Sequence, residues 1–598
     1  MLDKLSSIVQ VLRRHAPELA FGLLWLGLSL LRLDTFAAVS RLLDCQACLV
    51  RQALPYEVQF LALMLALHVW STGARQWQVR SGVRFLLVLL LLLGLIDAFV
   101  TRQFHVRLHL HDLLKFIDEA GAALDFVRVL GGAGLRAWAL ALAAVAALAI
   151  VWVYLLRART APAAFAGDAH APALRFQAVR AWRWGLPLAA GLALFPLQER
   201  NVHSPYLSPA LVAFFETQTR FTGYAPSSPA PAPLAWGARC VPGQDRRPDV
   251  ILLVVESLSA YQSRAWGGAL DWWPELDQLK SQGTSHTAYL ANGITTEDGL
   301  VALLTGQPPI PRPDRREVFQ QFTQVRHTVP RMLAQRGYQT AFLTTGDLGF
   351  LDKGEWLRAI GFEQLQGHEH PDYEGLPRFH FQAPPDEALY RRALRWMEGV
   401  TGVQRKPYFL TIETVSTHQP YTDPRTGALS MEGAFRYADE ELGAFVRELR
   451  ARRFFDHGVL LVTGDHRAMV PVSARELRQG GQAYNRIPLL LLGREVPVRQ
   501  VNTPHSQTDL LPTLEQLVSA QPVCLSPPQG LLLPVPEDVP PQCVPMRRAY
   551  DPDQVFLQCG DAEHVIELEA EHTRFVSQSP GPEPWLDWVQ RLRRGQED

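Results

Sequence analysis

The chain has 598 residues, with 58 basic and 59 acidic side chains and a net charge of −1. This balance gives no overall electrostatic reason to bind nucleic acid, and we expect no nucleic acid partner. The length exceeds what one ordinary core needs, and the first third is far more apolar than the rest, so we expect at least two domains.

Residues 1–200 contain five apolar runs that approach the ~20 residues a helix needs to cross a bilayer. They are Glu18–Val39, Tyr56–Gly73, Val83–Thr101, Leu135–Leu156 and Trp182–Leu197. Five such runs in one stretch predict a transmembrane α-helical bundle rather than the buried helices of a soluble core. A cleaved signal peptide does not fit, because the first run is long and more runs follow it.

The basic residues beside these runs predict their orientation. Many lie before the first run or in the connections after the second and fourth runs: Lys4, Arg13, Arg14, Arg75, Arg80, Arg84, Arg157, Arg159, Arg175 and Arg180. By the positive-inside rule these flanks are cytoplasmic. With five spans, everything after about Arg200 would then lie outside the cytoplasm.

The cysteines agree with this topology, because all six would lie on the outer side, where disulfides persist. Cys524 and Cys543 flank a proline-rich loop and are predicted to pair. Cys45 and Cys48 form a Cys-x-x-Cys pair that suits a disulfide, with redox and metal-binding roles as alternatives.

Residues 201–240 are predicted to connect the membrane part to a soluble domain at 241–598. Asn201–Phe221 is amphipathic and suits a helix on the membrane surface. Ala225–Pro233 is rich in proline and predicts a semi-stiff spacer.

The soluble domain opens with Val250–Val255, a continuous apolar run typical of a strand that is buried on both faces. Strand-like and helical stretches then alternate. The strand-like ones are Thr340–Thr344, Tyr408–Glu413, Gly458–Thr463 and Ile487–Leu492, and the helical ones include Val329–Arg336, Asp386–Glu398 and Phe435–Arg452. This alternation predicts an α/β domain with a mostly parallel sheet.

Polar side chains follow three of these strands. Glu256 comes directly after the first, His418 lies shortly after Glu413, and Asp465 and His466 come after Gly458–Thr463. Ligands bind such sheets at the carboxyl ends of the strands, and carboxylates and imidazoles bind divalent metals. Each residue alone could be a cap or a turn residue, but their joint occurrence favours a metal site.

The segment Asn292–Gly306 places a hydroxyl at the start of a short apolar helix. A glycine turn precedes Thr296, and the backbone N–H groups at a helix N-terminus favour a phosphate or another anion. The alternative is that Thr296 is only the N-cap of this helix, with Glu297 or Asp298 supporting its first turn.

Over Arg247–Leu517 the sequence resembles the alkaline phosphatase and sulfatase superfamily, and within it the lipoteichoic acid synthase and phosphoglycerol transferase branch. Five preceding spans are also similar to that branch. The segments that carry the resemblance are Pro248–Ser257, Leu303–Gly306, Thr417–Tyr421, Gly464–His466, Arg486–Leu489 and Ser506–Thr513. The family spacing to Leu303–Gly306 points to Thr296 rather than Thr295 as the nucleophile.

The resemblance implies a site for one divalent metal, with manganese as the first choice and magnesium, calcium or zinc as alternatives. Its ligands would be Glu256, Thr296, Asp465 and His466. The residues implied in catalysis are Thr296 and His418, and those implied in substrate binding are His418, Lys353, Asp347 and His505. A threonine at the nucleophile position excludes the formylglycine of sulfatases, which derives from cysteine or serine.

Members of the branch often carry a tryptophan and an arginine in the headgroup pocket. Phe350, Leu351 and Lys353 occupy that region here, so the substrate can differ from phosphatidylglycerol.

We therefore expect a multi-pass enzyme of the bacterial inner membrane with a periplasmic catalytic domain. It would move phosphoglycerol or phosphoethanolamine from a phospholipid donor to a glycan or glycolipid acceptor through a phospho-threonine. One alternative is a sulfatase-like phosphodiesterase or sulfuric ester hydrolase, and another is a non-catalytic membrane scaffold. The full set of strand-end residues speaks against the scaffold.

Overall fold

A computed structural model of the chain divides into two compact units. It describes residues 2–42, 48–73, 76–104, 107–108, 150–151 and 153 of the first part. It also describes residues 239–593, apart from 311–317, 401–404, 526–528, 536, 540, 542, 549–553, 569–572 and 577–583. Each unit is described by itself below.

In the part of the first unit that the structure describes there are three long helices, α1 (Leu2–Leu42), α2 (Cys48–Gly73) and α3 (Trp77–Phe104). Among the described residues, Ala20–Arg41 of α1 and Trp77–Arg102 of α3 are long and apolar enough to cross a membrane. The predicted spans at Leu135–Leu156 and Trp182–Leu197 lie outside the described residues, except for 150–151 and 153.

These helices bury a group of paired charges. Arg32 of α1 donates to Glu57 of α2 and to Asp97 of α3, both at 2.7 Å. Asp97 also accepts from Arg107 Nε at 2.8 Å. Side chains of this kind are costly to bury singly, so their mutual pairing makes them compatible with the apolar helices around them.

The second unit is an α/β domain followed by a small antiparallel sheet. Its strands are β1 (Arg239–Val241), β2 (Asp249–Val255), β3 (Thr284–Leu290), β4 (Gln339–Thr344), β5 (Gln364–Gln366), β6 (Tyr408–Glu413), β7 (Thr422–Asp423), β8 (Ala428–Leu429), β9 (Gly458–Gly464), β10 (Arg486–Leu492), β11 (Arg499–Val501), β12 (His505–Ser506), β13 (Val523–Leu525), β14 (Leu531–Val535), β15 (Glu537–Val539), β16 (Val544–Met546), β17 (Gln554–Cys559), β18 (Ala562–Leu568) and β19 (Thr573–Phe575). Its α-helices are α4 (Pro274–Leu279), α5 (Thr296–Thr305), α6 (Val318–Gln321), α7 (Val329–Gln335), α8 (Lys353–Ile360), α9 (Asp386–Val400), α10 (Met431–Ala451), α11 (Ala474–Leu477), α12 (Leu510–Val518) and α13 (Pro584–Arg593).

The central sheet has the strand order β11-β3-β10-β9-β2-β6-β4-β5, and β12 also pairs with β3. Strands β9, β2, β6, β4 and β5 are parallel, whereas β10 is antiparallel to both of its neighbours. The sheet is therefore mixed, as a mostly parallel sheet in which β10 runs antiparallel to its neighbours. The carboxyl ends of β9, β2, β6 and β4 meet at one edge, which is where the polar strand-end residues lie.

Successive residues of β2 alternate between two cores, and this explains its unbroken apolar run. Val250, Leu252 and Val254 pack with α5, α7, α8 and α12 on one face of the sheet. Ile251 and Leu253 pack with α4, α9 and α10 on the other face. Since both faces of β2 are covered, Val250–Val255 are all apolar, and polar residues stand only at the two ends of the run, at Asp249 and Glu256.

The predicted disulfide between Cys524 and Cys543 is wrong. β1 pairs with β13, so Cys240 lies directly opposite Cys524 and bonds to it. Cys543 bonds instead to Cys559, which ends β17. The antiparallel ladders bring these cysteines together. The prediction failed because it used only the position of Cys524 and Cys543 on either side of a proline-rich loop, which does not show which strands pair. Cys48 is also disulfide-bonded.

Candidate active site

The end of β2 places Glu256 at the edge of the sheet. Its backbone N–H donates to Thr414 Oγ1 at 3.1 Å, beyond the end of the neighbouring strand β6. Ser257 follows with a φ of 58°, in the left-handed region that a residue other than glycine rarely adopts. This conformation lets the Ser257 N–H donate to Asp465 Oδ1 at 2.8 Å, while the Ser257 hydroxyl donates to Glu256 Oε1. The turn thus joins two strand ends through their carboxylates.

Asp465 and His466 come from the adjacent strand β9, whose Gly464 is the register partner of Val255. Glu256, Asp465 and His466 are all buried, and ligand atoms from the three lie within 4.8 Å of one another. The His466 Nδ1 is 2.9 Å from the carbonyl oxygen of Arg467. A hydrogen bond there fixes the ring so that Nε2 faces the carboxylates, at 3.4 Å from Asp465 Oδ2 and 3.5 Å from Glu256 Oε1.

Thr296 is the first residue of α5, and its hydroxyl donates to Glu256 Oε2 at 3.1 Å. The alternative that Thr296 caps this helix is wrong. The N-cap is Thr295, whose Oγ1 accepts from the Asp298 N–H at 3.3 Å. Since Thr295 satisfies the helix terminus, the Thr296 hydroxyl remains directed at the acidic cluster.

The chemistry of this cluster fits a divalent cation. Two carboxylates, one imidazole and one hydroxyl form a donor set that suits manganese, magnesium or zinc. Asp465 Oδ2 and His466 Nε2 are buried and have no hydrogen-bond partner among the described residues. Buried polar atoms of this kind need a partner, and a metal ion held between them would satisfy both.

The electrostatics also call for a positive charge at this position. Burial alone would lower the pKa of His466, but the Asp465 and Glu256 carboxylates raise it to about 10. Burial would likewise raise the pKa of Glu256, yet the His466 imidazole, His418 and Ser257 hold that pKa below its usual value. Without a metal, a proton on His466 supplies the compensating charge, and a divalent cation would replace it.

Two residues that the sequence analysis did not single out support the cluster. Gly299 lies in the first turn of α5, where an added Cβ would stand 2.1 Å from the carbonyl oxygen of Asp465. The Gln507 amide donates to the carbonyl oxygens of Gly464 and Asp465 at 3.1 and 2.6 Å, and its Oε1 accepts from the Asn292 N–H. A glycine inside an apolar helix was the signal that could have indicated a close approach.

His418 lies on the loop after β6, and the residue before it contacts the cluster. The Thr417 hydroxyl donates to the carbonyl oxygen of Glu256 at 2.6 Å. Asp386 holds the same loop by accepting from the N–H groups of Val415 and Ser416, each at 3.1 Å. The half-buried His418 ring is also close enough to lower the pKa of Glu256.

The remaining predicted residues lie in other networks. Lys353 Nζ is 2.8 and 2.9 Å from the two carboxylate oxygens of Glu413, the last residue of β6. Glu413 was predicted only as the end of a strand and not as a site residue. Asp347 Oδ1 accepts from the Gly349 N–H at 2.7 Å. His505 is fully buried, where its Nδ1 is 2.9 Å from Asp509 Oδ2 and its ring meets His286 edge-on.

In the headgroup region, Phe350 packs partly buried against the core. Leu351 is 7% exposed and has a φ of 53°. The aromatic and arginine pair that the branch often carries is therefore replaced here by Phe350, Leu351 and the Lys353–Glu413 ion pair.

Comparisons with known proteins show what this chain is similar to. Phosphoglycerol transferase I of Xanthomonas campestris pv. campestris (strain ATCC 33913) is 25% identical over 296 residues, which cover 46% of this chain and 41% of that protein. Lipoteichoic acid synthase 1 of Bacillus subtilis is 23% identical over 215 residues, or 32% of each chain. The chain thus spans well under half the length of these curated relatives.

Among solved structures, an alkaline phosphatase superfamily protein from Vibrio parahaemolyticus has a TM-score of 0.47 at 22% identity, covering 60% of this chain and 90% of that one. The lipoteichoic acid synthase LtaP from Listeria monocytogenes has a TM-score of 0.45 at 19% identity, covering 60% and 94%. Residues 248–520 match the Sulfatase family, a range that contains Glu256, Thr296, Asp465 and His466. Residues 248–520 of this chain therefore form a Sulfatase domain.

Proposed function

We propose that this chain is a membrane-anchored, metal-dependent phosphotransferase. It takes a phosphoglycerol or phosphoethanolamine headgroup from a phospholipid and passes it to a glycan or glycolipid outside the cytoplasm. The observation that carries the proposal is the Thr296 hydroxyl at a helix N-terminus, bonded to Glu256 within a buried ligand cluster. Relatives named phosphoglycerol transferase and lipoteichoic acid synthase support this reaction over ester hydrolysis.

Glu256, Asp465, His466 and Thr296 would hold one divalent metal, with manganese as the first choice. The metal would lower the pKa of the threonine hydroxyl and polarise the phosphoryl group. A free threonine hydroxyl is a poor nucleophile and needs such activation.

In the first half-reaction the Thr296 oxygen attacks phosphorus, and the phosphorus–oxygen bond to diacylglycerol breaks. The Thr296 proton passes to Glu256 Oε2, which already accepts its hydrogen bond. His418 donates a proton to the departing diacylglycerol oxygen. The product is a phospho-threonine that carries the headgroup alcohol.

In the second half-reaction an acceptor hydroxyl attacks the same phosphorus, and the bond to Thr296 breaks. His418, now neutral, takes the acceptor proton, and Glu256 returns its proton to Thr296. Lys353 and Asp347 remain the residues that we propose for substrate binding, and Lys353 would add positive charge for the phosphate if it left its ion pair with Glu413. His505 is fully buried against Asp509 and His286, so we propose that it acts only by supporting the fold beside the site.

The proposed topology has five spans in residues 1–200, a connection at 201–240 and a periplasmic catalytic domain at 241–598. Ala20–Arg41 and Trp77–Arg102 support the anchor. The Cys240–Cys524 and Cys543–Cys559 disulfides support an oxidising compartment for the domain. An anchor of this kind keeps the site close to lipid headgroups.

The test is to incubate the detergent-purified full chain with manganese and phosphatidylglycerol or phosphatidylethanolamine, then to map adducts by mass spectrometry. We expect a phospho-alcohol on Thr296 that is absent from Thr296→Ala. An adduct that water releases at the same rate with and without acceptor would indicate a phosphodiesterase. Folded, metal-loaded protein that forms no adduct and consumes no lipid would refute the transferase.

A further inference from the structure

The C-terminal sheet places an arginine side chain next to the helix that begins with Thr296. Arg547 directly follows β16, and its Nη1 lies 3.4 Å from Asp298 Oδ1. Asp298 is 1% exposed and lies in the first turn of α5, two residues after Thr296. This part of the chain lies beyond residues 248–520, where the Sulfatase match ends.

The backbone around Arg547 is fixed to the loop that precedes Thr296. The Arg547 N–H donates to the carbonyl oxygen of Asn292 at 2.9 Å, and the Asn292 amide donates to the carbonyl oxygen of Pro545 at 2.8 Å. The Asn485 amide donates to the carbonyl oxygen of Arg547 at 2.9 Å. The β16–β17 ladder and the Cys543–Cys559 bond hold the strand from which Arg547 emerges.

Asp298 is locked on its other side by the same loop. Its Oδ2 accepts from the Ile294 N–H at 3.0 Å. An added Cβ on Gly293 would stand 2.1 Å from the Asp298 Cβ, so the loop lies flat against this side chain. Asp298 cannot turn away from the helix start without disrupting the loop that presents Thr296.

The charges explain why a cation is needed there. A phosphodiester anion that approaches Thr296 meets the buried carboxylates of Glu256 and Asp465. The first turn of α5 adds a third buried carboxylate, Asp298, and the half-buried Glu297. One divalent metal balances two of these charges. The Arg547 side chain is 16% exposed and faces Asp298, so it can neutralise the third carboxylate at short range and low dielectric.

We propose that Arg547 is a positioning residue of the phosphate site, which neutralises Asp298 and ties the C-terminal sheet to the loop that presents Thr296. This inference rests on the function proposed above. It extends the active site to a part of the chain outside the Sulfatase match.

The test uses the full chain in detergent with manganese and phosphatidylglycerol, and compares kcat and KM. We expect Arg547→Gln to lower kcat/KM by about tenfold to a hundredfold, and Arg547→Lys to restore part of the loss. Arg574→Gln is the matched control, because Arg574 pairs with Glu567 in the same sheet but is exposed. Wild-type kinetics for Arg547→Gln would refute the proposal.

A double variant separates charge compensation from a purely structural role. If Arg547 acts by neutralising Asp298, then Asp298→Asn should recover much of the activity lost in Arg547→Gln. If the two losses simply add, the assigned role of Arg547 is wrong. Thermal unfolding of every variant shows whether each protein is folded.

The affinity for inorganic phosphate, measured by calorimetry on the manganese-loaded chain, separates this proposal from the proposed function. If Arg547→Gln binds phosphate more weakly but the wild type turns over no lipid, the transferase function is refuted and the proposed role of Arg547 is supported. Equal phosphate affinity in wild type and Arg547→Gln would overturn the inference. A folded, loaded wild type that binds neither phosphate nor lipid would overturn both.

Discussion

The contact between α5 and the Asp465 loop leads to a prediction for Gly299→Ala. The added Cβ would stand 2.1 Å from the carbonyl oxygen of Asp465, 2.7 Å from its carbonyl carbon and 3.0 Å from its Cα. All three are backbone atoms, so no side-chain rotation can relieve the contact. Either the helix that begins with Thr296 or the loop that holds Asp465 and His466 must move.

The size of the movement follows from these distances. A carbon–oxygen contact needs about 3.3 Å, so the two segments must separate by about 1.2 Å. Overpacking of this kind costs about 1–3 kcal/mol. Alanine regains about 1 kcal/mol of helix propensity over glycine in both metal-free and metal-bound protein, so this gain does not restore metal binding. If the bound metal holds the segments together, the strain becomes a loss of affinity of roughly 5-fold to 150-fold.

The measurement is a manganese titration of the full chain in detergent by calorimetry, with thermal unfolding measured alongside. Gly399→Ala is the matched control: it lies in α9, and nothing stands within 4 Å of its added Cβ. The control should bind manganese like wild type and be equally or more stable. If Gly299→Ala also binds manganese like wild type, then Glu256, Asp465, His466 and Thr296 do not share a metal in this geometry.

Three further predictions concern stability. Thr295→Ala removes the N-cap of α5 and should cost about 1 kcal/mol in chemical unfolding, whereas Thr296→Ala should leave stability nearly unchanged and abolish the adduct. Arg32→Leu leaves the buried Glu57 without its cation and Asp97 with Arg107 as its remaining cation, and should destabilise the chain by about 3–5 kcal/mol. Unchanged thermal unfolding in detergent would contradict the pairing. Burial raises the pKa of Asp386 to about 6. The protonated carboxyl therefore contributes stability, about 3 kcal/mol at most, that is complete below about pH 4 and is lost as the pH rises through 6. Asp386→Asn should abolish this fall in the free energy of unfolding, measured from pH 4 to 7.

Strands that form a continuous apolar run could be predicted from the sequence, and strands that bury polar residues could not. Val250–Val255 was recognisable because burial on both faces leaves only apolar residues. β3 was missed because it buries Thr284, Ser285 and His286, whose polar atoms find partners such as the Pro497 and Leu532 carbonyl oxygens. A pattern of polar residues cannot reveal such partners, because they lie far away along the chain.

The same distinction applies to the candidate site. Glu256, Asp465 and His466 each follow a recognisable strand, and parallel pairing of β2 with β9 brings their positions together whatever the intervening sequence. Thr296 depends on finer geometry, because Thr295 is an equally good hydroxyl one residue earlier. The resemblance pointed to Thr296 by its spacing from Leu303–Gly306, and the helix start gives the physical reason: it uses Thr295 as the cap and leaves Thr296 for Glu256.

The residues that surround the cluster could not be predicted from the sequence, for a different physical reason. Gln507 contacts a carbonyl oxygen 42 residues away, and Arg547 contacts a carboxylate 249 residues away, and neither belongs to a repeating pattern. Yet these contacts set the position of the loop that holds Asp465 and the charge beside Thr296. A domain can therefore keep the strand-end residues of its family while distant residues such as Arg547 set the charge around them. Changes in the C-terminal sheet should accordingly affect the proposed site, as changes in the strand-end residues do.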